Sequence, residues 1–373
     1  MHLKDISLIN FKNFPQADLQ FCSRINCFAG RNGTGKTNML DAIYYLSMCK
    51  SFFNAVDSQN IRHGENFFTI QGSYIRLDEE EKIYCGVRKN AKKRFRRNRK
   101  EYERLSDHIG LLPVVMVSPG DSVLITGGSE ERRKFMNGVI SQYDKSYLND
   151  LISYNQALTQ RNALLKDFAR KGYFEKENLD LWSARLADSG ARIYKKRVEF
   201  IEELLPIFRY YYDFVSGGSE KVELVYESRL SETGLEGLLE QSLEKDRILQ
   251  YTTAGVHKDD LQLLIGDQPM KRDGSQGQQK TYLVALKLAQ FDFMKKINGF
   301  NPVLLFDDVF DKLDRTRVTQ IVKLVSENHF GQIFITDTSR ERLEQILGDI
   351  NIEYRLFDIE EICEKATPKN SQR

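Results

Sequence analysis

Cysteine pairs are the first thing missing from this chain. Five cysteines (Cys22, Cys27, Cys49, Cys85 and Cys363) stand among 373 residues, and none forms a C-x-x-C pair. That pattern argues against a disulfide frame or a thiolate metal site and fits reduced thiols in the cytoplasm. Long apolar runs are missing too. One of the longest, Leu111-Leu112-Pro113-Val114-Val115-Met116-Val117, falls far short of the roughly 20 residues a membrane helix needs. Met1-His2-Leu3-Lys4-Asp5 lacks a charged-then-apolar leader, so no secretion signal is expected. Charge of one sign is not in excess: 55 Lys and Arg face 53 Asp and Glu, a net +2. Any contact with nucleic acid therefore has to be a local patch. Internal repeats are absent, and the only low-complexity stretch is a polar tail after Lys365. With 41% apolar and 29% charged residues, what remains is a soluble globular chain long enough for two or three domains.

The strongest positive signal is Gly30-Arg31-Asn32-Gly33-Thr34-Gly35-Lys36-Thr37, which fits G-x-x-x-x-G-K-[ST], a loop that wraps nucleotide phosphates. Ile25-Asn26-Cys27-Phe28-Ala29 before it reads as a short buried strand, and Asn38 to Leu46 after it has helical apolar spacing. The glycines let backbone N–H groups close on phosphate oxygens, and the helix start adds a partial positive end. Lys36 is expected to reach the β- and γ-phosphates, and the Thr37 hydroxyl to ligate Mg²⁺. A nucleotide with Mg²⁺ is the implied ligand.

Strands are expected within 3–29 and 67–89, from apolar residues alternating with polar ones. A basic run follows at 88–100, where nine of thirteen residues are Lys or Arg. It is either a solvated hairpin, partly balanced by Asp78, Glu79, Glu80 and Glu81, or a phosphate-backbone contact. Beyond residue 120 two long amphipathic helices are expected. One has Leu148, Leu151, Tyr154, Leu158, Leu165 and Phe168 on its stripe, with one seven-residue gap; the other has Trp182, Leu186, Ser189, Ile193, Phe200 and Leu204. The short link at 171–178 makes them an antiparallel arm. Strand signals return at Val222, Leu224 and Tyr226, and at Leu261, Leu263 and Ile265.

Pro302-Val303-Leu304-Leu305-Phe306-Asp307-Asp308 is a buried strand ending in two carboxylates. Such an acid sits beside a phosphate loop and holds Mg²⁺, which nominates Asp307; Asp308 next to it is placed to polarise the attacking water. The 271 positions from Lys36 to Asp307 exceed one compact nucleotide fold, so the arm is read as an insertion. Upstream, Gly274-Ser275-Gln276-Gly277-Gln278-Gln279-Lys280 opens a helix expected over 279–297. Its hydroxyl, N–H groups and helix N-terminus form a second anion site.

Together these residues resemble the RecF family of bacterial recombination and repair ATPases, related to the heads of SMC proteins, over essentially the whole chain. The resemblance rests on Leu8-Ile9-Asn10-Phe11-Lys12-Asn13, Gly30 to Thr37, Gln160 to Lys166, Ala254 to Leu261, Ser275 to Thr281 and Leu304 to Val309. Val256 and Lys258 replace the family's Pro and Arg, Gly120 replaces an acid, and Asp311-Lys312-Leu313-Asp314 stands where the family has S-E-L-D. Thr336, followed by Asp337, occupies the place of the ABC switch histidine.

The resemblance implies an α/β, ABC/SMC-like P-loop ATPase head with an inserted, mainly helical arm: head at 1–120, arm at 121–245, head again at 246–373. It further implies that the nucleotide is ATP, and an ATP-dependent homodimer that clamps DNA ends, gaps or junctions, with RecR- and RecO-like partners and no membrane. Ser275, Gly277, Gln278 and Asp314 would serve the nucleotide across the dimer, and Thr336 would sense its γ-phosphate. The expected role is recombinational repair and replication restart after DNA damage. Hydrolysis should be slow, because the full site exists only in the dimer and Asp308 is shorter than the Glu of fast ABC sites. The rival reading is the ATPase subunit of a membrane transporter.

Overall fold

The computed structural model describes residues 1–218, 220–308, 320, 330–348 and 352–365. Its strands are β1 (His2–Phe11), β2 (Phe14–Gln20), β3 (Ile25–Ala29), β4 (Phe67–Arg76), β5 (Glu79–Arg88), β6 (Arg94–Arg97) and β7 (Lys100–Glu101). There follow β8 (Val114–Val117), β9 (Val222–Glu227), β10 (Asp260–Ile265), β11 (Gln268–Pro269), β12 (Val303–Phe306), β13 (Ile333–Asp337) and β14 (Tyr354–Asp358). The chain divides into two compact units, Met1–Asp121 with Phe214–Gly217 and Lys280–Arg373, and Ser122–Asp213 with Gly218–Gln279.

The first unit holds two sheets. An antiparallel one runs β2-β1-β4-β5-β6-β7, and a five-stranded one runs β14-β3-β13-β12-β8 with every pairing parallel. Composition explains the difference. Strands β3, β8 and β12 are continuously apolar or nearly so and buried throughout, as a sheet covered on both faces requires. By contrast, β1 buries Leu3, Ile6, Leu8 and Phe11 between more exposed neighbours. Two of its hairpins, β4-β5 and β6-β7, turn on two residues each, Leu77-Asp78 and Asn98-Arg99, all with positive φ. That is the turn whose twist matches the flanking strands. The helix Lys36–Met48 packs against β1, β4 and β5 of one sheet and β8 and β13 of the other, burying Met39, Leu40, Ile43, Tyr45 and Leu46. Parallel strands put the functional positions together, because β3, β12, β13 and β14 all end at the same edge, where ligands of open α/β sheets bind.

The second unit is the arm. Its helices Lys145–Lys171 and Lys176–Ser216 are joined through Gly172, whose φ of 71° ends the first. Asp144 caps that helix by accepting the Tyr147 N–H at 3.0 Å. The two run antiparallel: Arg161 bonds Ser183, Arg192 bonds Asp150, and Lys196 pairs with Asp144. The seven-residue gap in the apolar stripe, Leu158 to Leu165, is filled by Arg161, and the like gap from Ile193 to Phe200 by Arg197; both arginines are buried. Packing differs from the expected boundary at 245, since 246–279 belongs to the arm unit. The cause is a ladder: β10 pairs with β9 along its length, from Asp260↔Glu227 to Ile265↔Val222.

Candidate nucleotide site

The loop from Gly30 to Gly35 leaves β3 with positive φ at Gly30, Gly33 and Gly35. At Gly35 (φ +115°) a Cβ would lie 2.2 Å from Asn13 Nδ2, so glycine is required there both for φ and for space. Asn13 earns its place: its Nδ2 donates to Thr34 O at 2.8 Å, and its Oδ1 accepts from Asn38 at 2.7 Å. This brace was missed in the sequence; its only signal was the stretch ending at Asn13 that carried the family resemblance. Lys36, buried, donates from Nζ to Gly30 O (2.9 Å) and Arg31 O (3.2 Å). Arg31 is bidentate on Glu360 at 3.0 and 2.9 Å, and Glu360 Oε1 also accepts the Arg31 N–H. Glu360 was not nominated; it reaches the loop because β14 pairs with β3 up to Asp358↔Ala29. Asn32 and Gly33 are exposed at the loop's tip.

At the end of β12, Asp307 meets Thr37: the hydroxyl lies 2.8 Å from Oδ1 and 3.0 Å from Oδ2. A second hydroxyl, Thr336 Oγ1 at the end of β13, donates to Asp307 Oδ1 at 2.9 Å and accepts the Asp308 N–H at 2.8 Å. Asp308 has φ 47°, a left-handed conformation that Asp tolerates better than most residues. Burial pushes the Asp307 carboxyl up from its usual range, against the pull of the two hydroxyls and of Lys36 and with the push of Asp308. A buried carboxylate with a hydroxyl beside it is an all-oxygen donor set, the chemistry Mg²⁺ selects. The structure thus brings together Lys36, Thr37, Asp307, Asp308 and Thr336. Asp337, buried, pairs instead with Arg342 at 2.7 Å.

In the arm unit, Ser275 and Gln278 form a reciprocal cap on the helix Gln276–Asn298. The Gln278 N–H donates to Ser275 Oγ (3.3 Å) and the Ser275 N–H to Gln278 Oε1 (2.6 Å). This is a capping box, legible as S-x-x-Q yet not read as one. Gly277 is half-buried in its first turn. Asp314, with Asp311, Lys312 and Leu313, lies outside the described residues.

The basic run forms the β5-β6-β7 edge, and the structure sorts its cations. Arg97 pairs with Glu81, Arg94 and Arg96 with Glu101, and Lys93 with Asp57 at 2.7 Å. Of the four acids expected to balance it, only Glu81 does; Glu80 pairs with Lys4 and Lys82. Arg88, Lys89, Lys92, Arg99 and Lys100 are exposed.

The profile of the family described as RecF/RecN/SMC N terminal domain matches residues 2–355. "DNA replication and repair protein RecF" of Phocaeicola vulgatus is 56% identical, over 97% of each chain. The solved "recombination mediator protein RecF-ATP in RecFOR pathway" superposes with a TM-score of 0.86 at 32% identity, covering 96% of each chain. The Smc head domain of Pyrococcus furiosus shares the fold, with a TM-score of 0.57 at 16% identity over 96% and 94% of the chains. Among the described residues, no helix is long and apolar enough to cross a membrane.

Proposed function

This chain belongs to the RecF family, and from that premise we propose that it is an ATP-gated clamp on DNA, with ATP binding closing two copies and hydrolysis releasing them. The observation that carries the reading is the cluster in which Thr37, Asp307, Thr336 and Asp308 hydrogen-bond one another beside the Lys36 loop. ATP is the nucleotide, as in the solved RecF-ATP relative. Gly30 to Thr37 wrap its phosphates, with the loop held from outside by Asn13 and Glu360. Thr37 and Asp307 would hold Mg²⁺, which would supply positive charge against the β- and γ-phosphates. Asp308, one residue on and turned by its left-handed backbone, orients and deprotonates the attacking water. Thr336 couples the two acids and senses the γ-phosphate. Ser275, Gly277, Gln278 and Asp314 serve the nucleotide of a second copy.

Turnover is slow and rises on DNA, because the shared site forms only when two copies close. DNA ends, gaps or junctions are the substrate, and RecR- and RecO-like proteins the partners, in the cytoplasm. The transporter reading is set aside, since the relatives are repair proteins. Sedimentation with and without ATP, on and off a gapped duplex, tests the clamp. A dimer that needs ATP and is stabilised on the DNA is expected; an ATP-independent monomer that binds DNA equally well sinks the reading.

A further inference from the structure

The cap at Ser275 is tied to a carboxylate it does not need. Gln278 uses its backbone N–H and its Oε1 in the cap, while its Nε2 donates to Glu220 Oε1 at 2.5 Å. The other oxygen of Glu220 accepts the hydroxyl of Tyr212 at 2.5 Å. Tyr212 is fully buried, near the end of the arm helix Lys176–Ser216, and Glu220 is half-buried in the connection to β9. All four residues belong to the arm unit.

A capping box is complete with the two reciprocal bonds. Glu220 adds a choice of orientation. A carboxylate only accepts, so the amide of Gln278 must turn its NH₂ toward Glu220 and its oxygen toward the Ser275 N–H. With the amide flipped, two donors would face each other at Ser275 and the loop would have to move. In the orientation seen, Ser275 Oγ receives the Gln278 N–H through a lone pair. Its own hydrogen is therefore not spent on the cap and can be donated to an anion.

Resting on the reading that Ser275 meets the γ-phosphate bound by a second copy, we infer that Glu220 is a positioning residue for that loop. It fixes the Gln278 amide, and through it the Ser275 N–H and hydroxyl, in the state that receives the phosphate. Tyr212 holds Glu220 in turn, so the end of the arm helix is linked to the phosphate donor by an unbroken hydrogen-bond chain.

The test compares Glu220→Ala, Glu220→Gln and Tyr212→Phe with Ser275→Ala as reference. Binding of a fluorescent ATP analogue to the monomer, ATP-dependent dimerisation by sedimentation velocity, turnover against protein concentration and thermal melting are measured. Glu220→Ala should keep wild-type ATP affinity, lower melting slightly through the lost Tyr212 bond, and weaken dimerisation by about tenfold, the low end for a hydrogen bond to a charged group. Its turnover should recover at high protein concentration, because assembly and not chemistry is impaired. Glu220→Gln should largely restore dimerisation, since its amide oxygen accepts from Gln278 while its NH₂ turns to the Tyr212 oxygen. A merely structural Glu220 would lower melting and ATP binding while leaving dimerisation of the folded, ATP-bound subunit unchanged, and this overturns the inference. So does wild-type dimerisation of Glu220→Ala alongside a defective Ser275→Ala, which leaves the shared-site reading standing. Normal dimerisation of Ser275→Ala removes the shared site and the inference together. Should Glu220→Ala fail to fold, Tyr212→Phe decides, because it removes one hydroxyl at nearly constant volume. Weakened dimerisation at unchanged ATP affinity supports the inference, and wild-type dimerisation overturns it.

Discussion

Two kinds of buried charge coexist in this chain. In the arm unit, acids and arginines neutralise each other: Arg161 Nη1 lies 2.7 Å from Asp246, with side chains 1% and 0% exposed, and Arg197 Nη1 lies 3.3 Å from Asp259. Asp246 also takes the N–H and hydroxyl of Thr253. At the phosphate loop, Asp307 is equally deep, yet its partners are two hydroxyls and its chain neighbour is another acid. A charge answered inside the protein holds the fold. A charge hydrogen-bonded only by neutral hydroxyls, with Lys36 acting on it but no ion pair among the described residues, is prepared for an ion from outside.

Breaking each kind should fail differently. Arg161→Ala strands Asp246 in the arm interior and should cost about 3–5 kcal/mol, the usual range for removing one partner of a buried pair. Urea unfolding measures it, and replacing both partners with apolar residues should cost less than either single change. Asp307→Asn removes a charge that has no ion-pair partner among the described residues, so stability without nucleotide should hold or rise while ATP turnover collapses. If Asp307→Asn unfolds as readily as Arg161→Ala, the distinction between the two charges is wrong.

Within the site the next effect is on chemistry alone. Asp308→Asn should leave ATP binding intact and slow single-turnover hydrolysis by roughly 10²–10⁴-fold, the usual contribution of a general base. Lys36→Ala should instead lose the nucleotide, since it removes the cation facing the phosphates. Hydrolysis at the wild-type rate by Asp308→Asn would return that residue to a turn position.

The loop and the acidic strand were legible because each residue type there has one dominant chemical use, and the spacing fixes the order of use. The paired charges were not legible. Arg161 and Arg197 stood in plain view as the residues interrupting two apolar stripes. A stripe with an arginine at the missing position looks like a stripe with a gap, because the partner acids, Asp246 and Asp259, lie 85 and 62 residues away in the chain. The arm's extent to 279 was hidden for the same reason, since the pairing of β10 with β9 is not local. Asn13 and Glu360 reach the loop from 21 and 329 positions away. Periodicity reports a helix face, not what crosses to it.

Ser275 belongs to both categories, which makes its replacement a graded test. As an anion site serving only a second copy, Ser275 would not matter to the folding of a single chain. The capping box changes that: Ser275→Ala should cost about 1 kcal/mol of stability from the lost cap, seen in melting of the nucleotide-free protein. Loss of a hydrogen bond to a charged phosphate would be worth roughly 1.5–3 kcal/mol more, and only in the ATP-bound dimer. Mixing Ser275→Ala with Lys36→Ala separates the two, because a mixed dimer rebuilds one intact site while the cap stays broken. Partial return of ATPase at unchanged melting is the expected result.

The smallest effect carries the same distinction to the surface. Along the β5-β6-β7 edge, Arg94, Arg96 and Arg97 are held by Glu101 and Glu81, and the Glu81 side chain is only 3% exposed. Hydrogen bonds from Arg97 hold the Glu81 carboxyl below its usual range, against burial. Those arginines belong with the internally answered charges, although the run as a whole left a phosphate contact as open as a solvated hairpin. Arg88, Lys89 and Lys92 are exposed around the β5-β6 turn and have no ion-pair partner among the described residues. Each phosphate they neutralise on duplex DNA should add about 0.9 to the fall of log affinity with log salt. Changing these three to Gln should flatten that dependence and leave melting alone. Changing Arg94, Arg96 and Arg97 to Gln should do the opposite: the salt dependence persists, and melting falls because Glu81 is left buried without its cation. An equal flattening by both triples would mean that an ion pair at this edge opens for DNA as readily as an unpaired lysine, and the sorting of charges by partner would not extend to the surface.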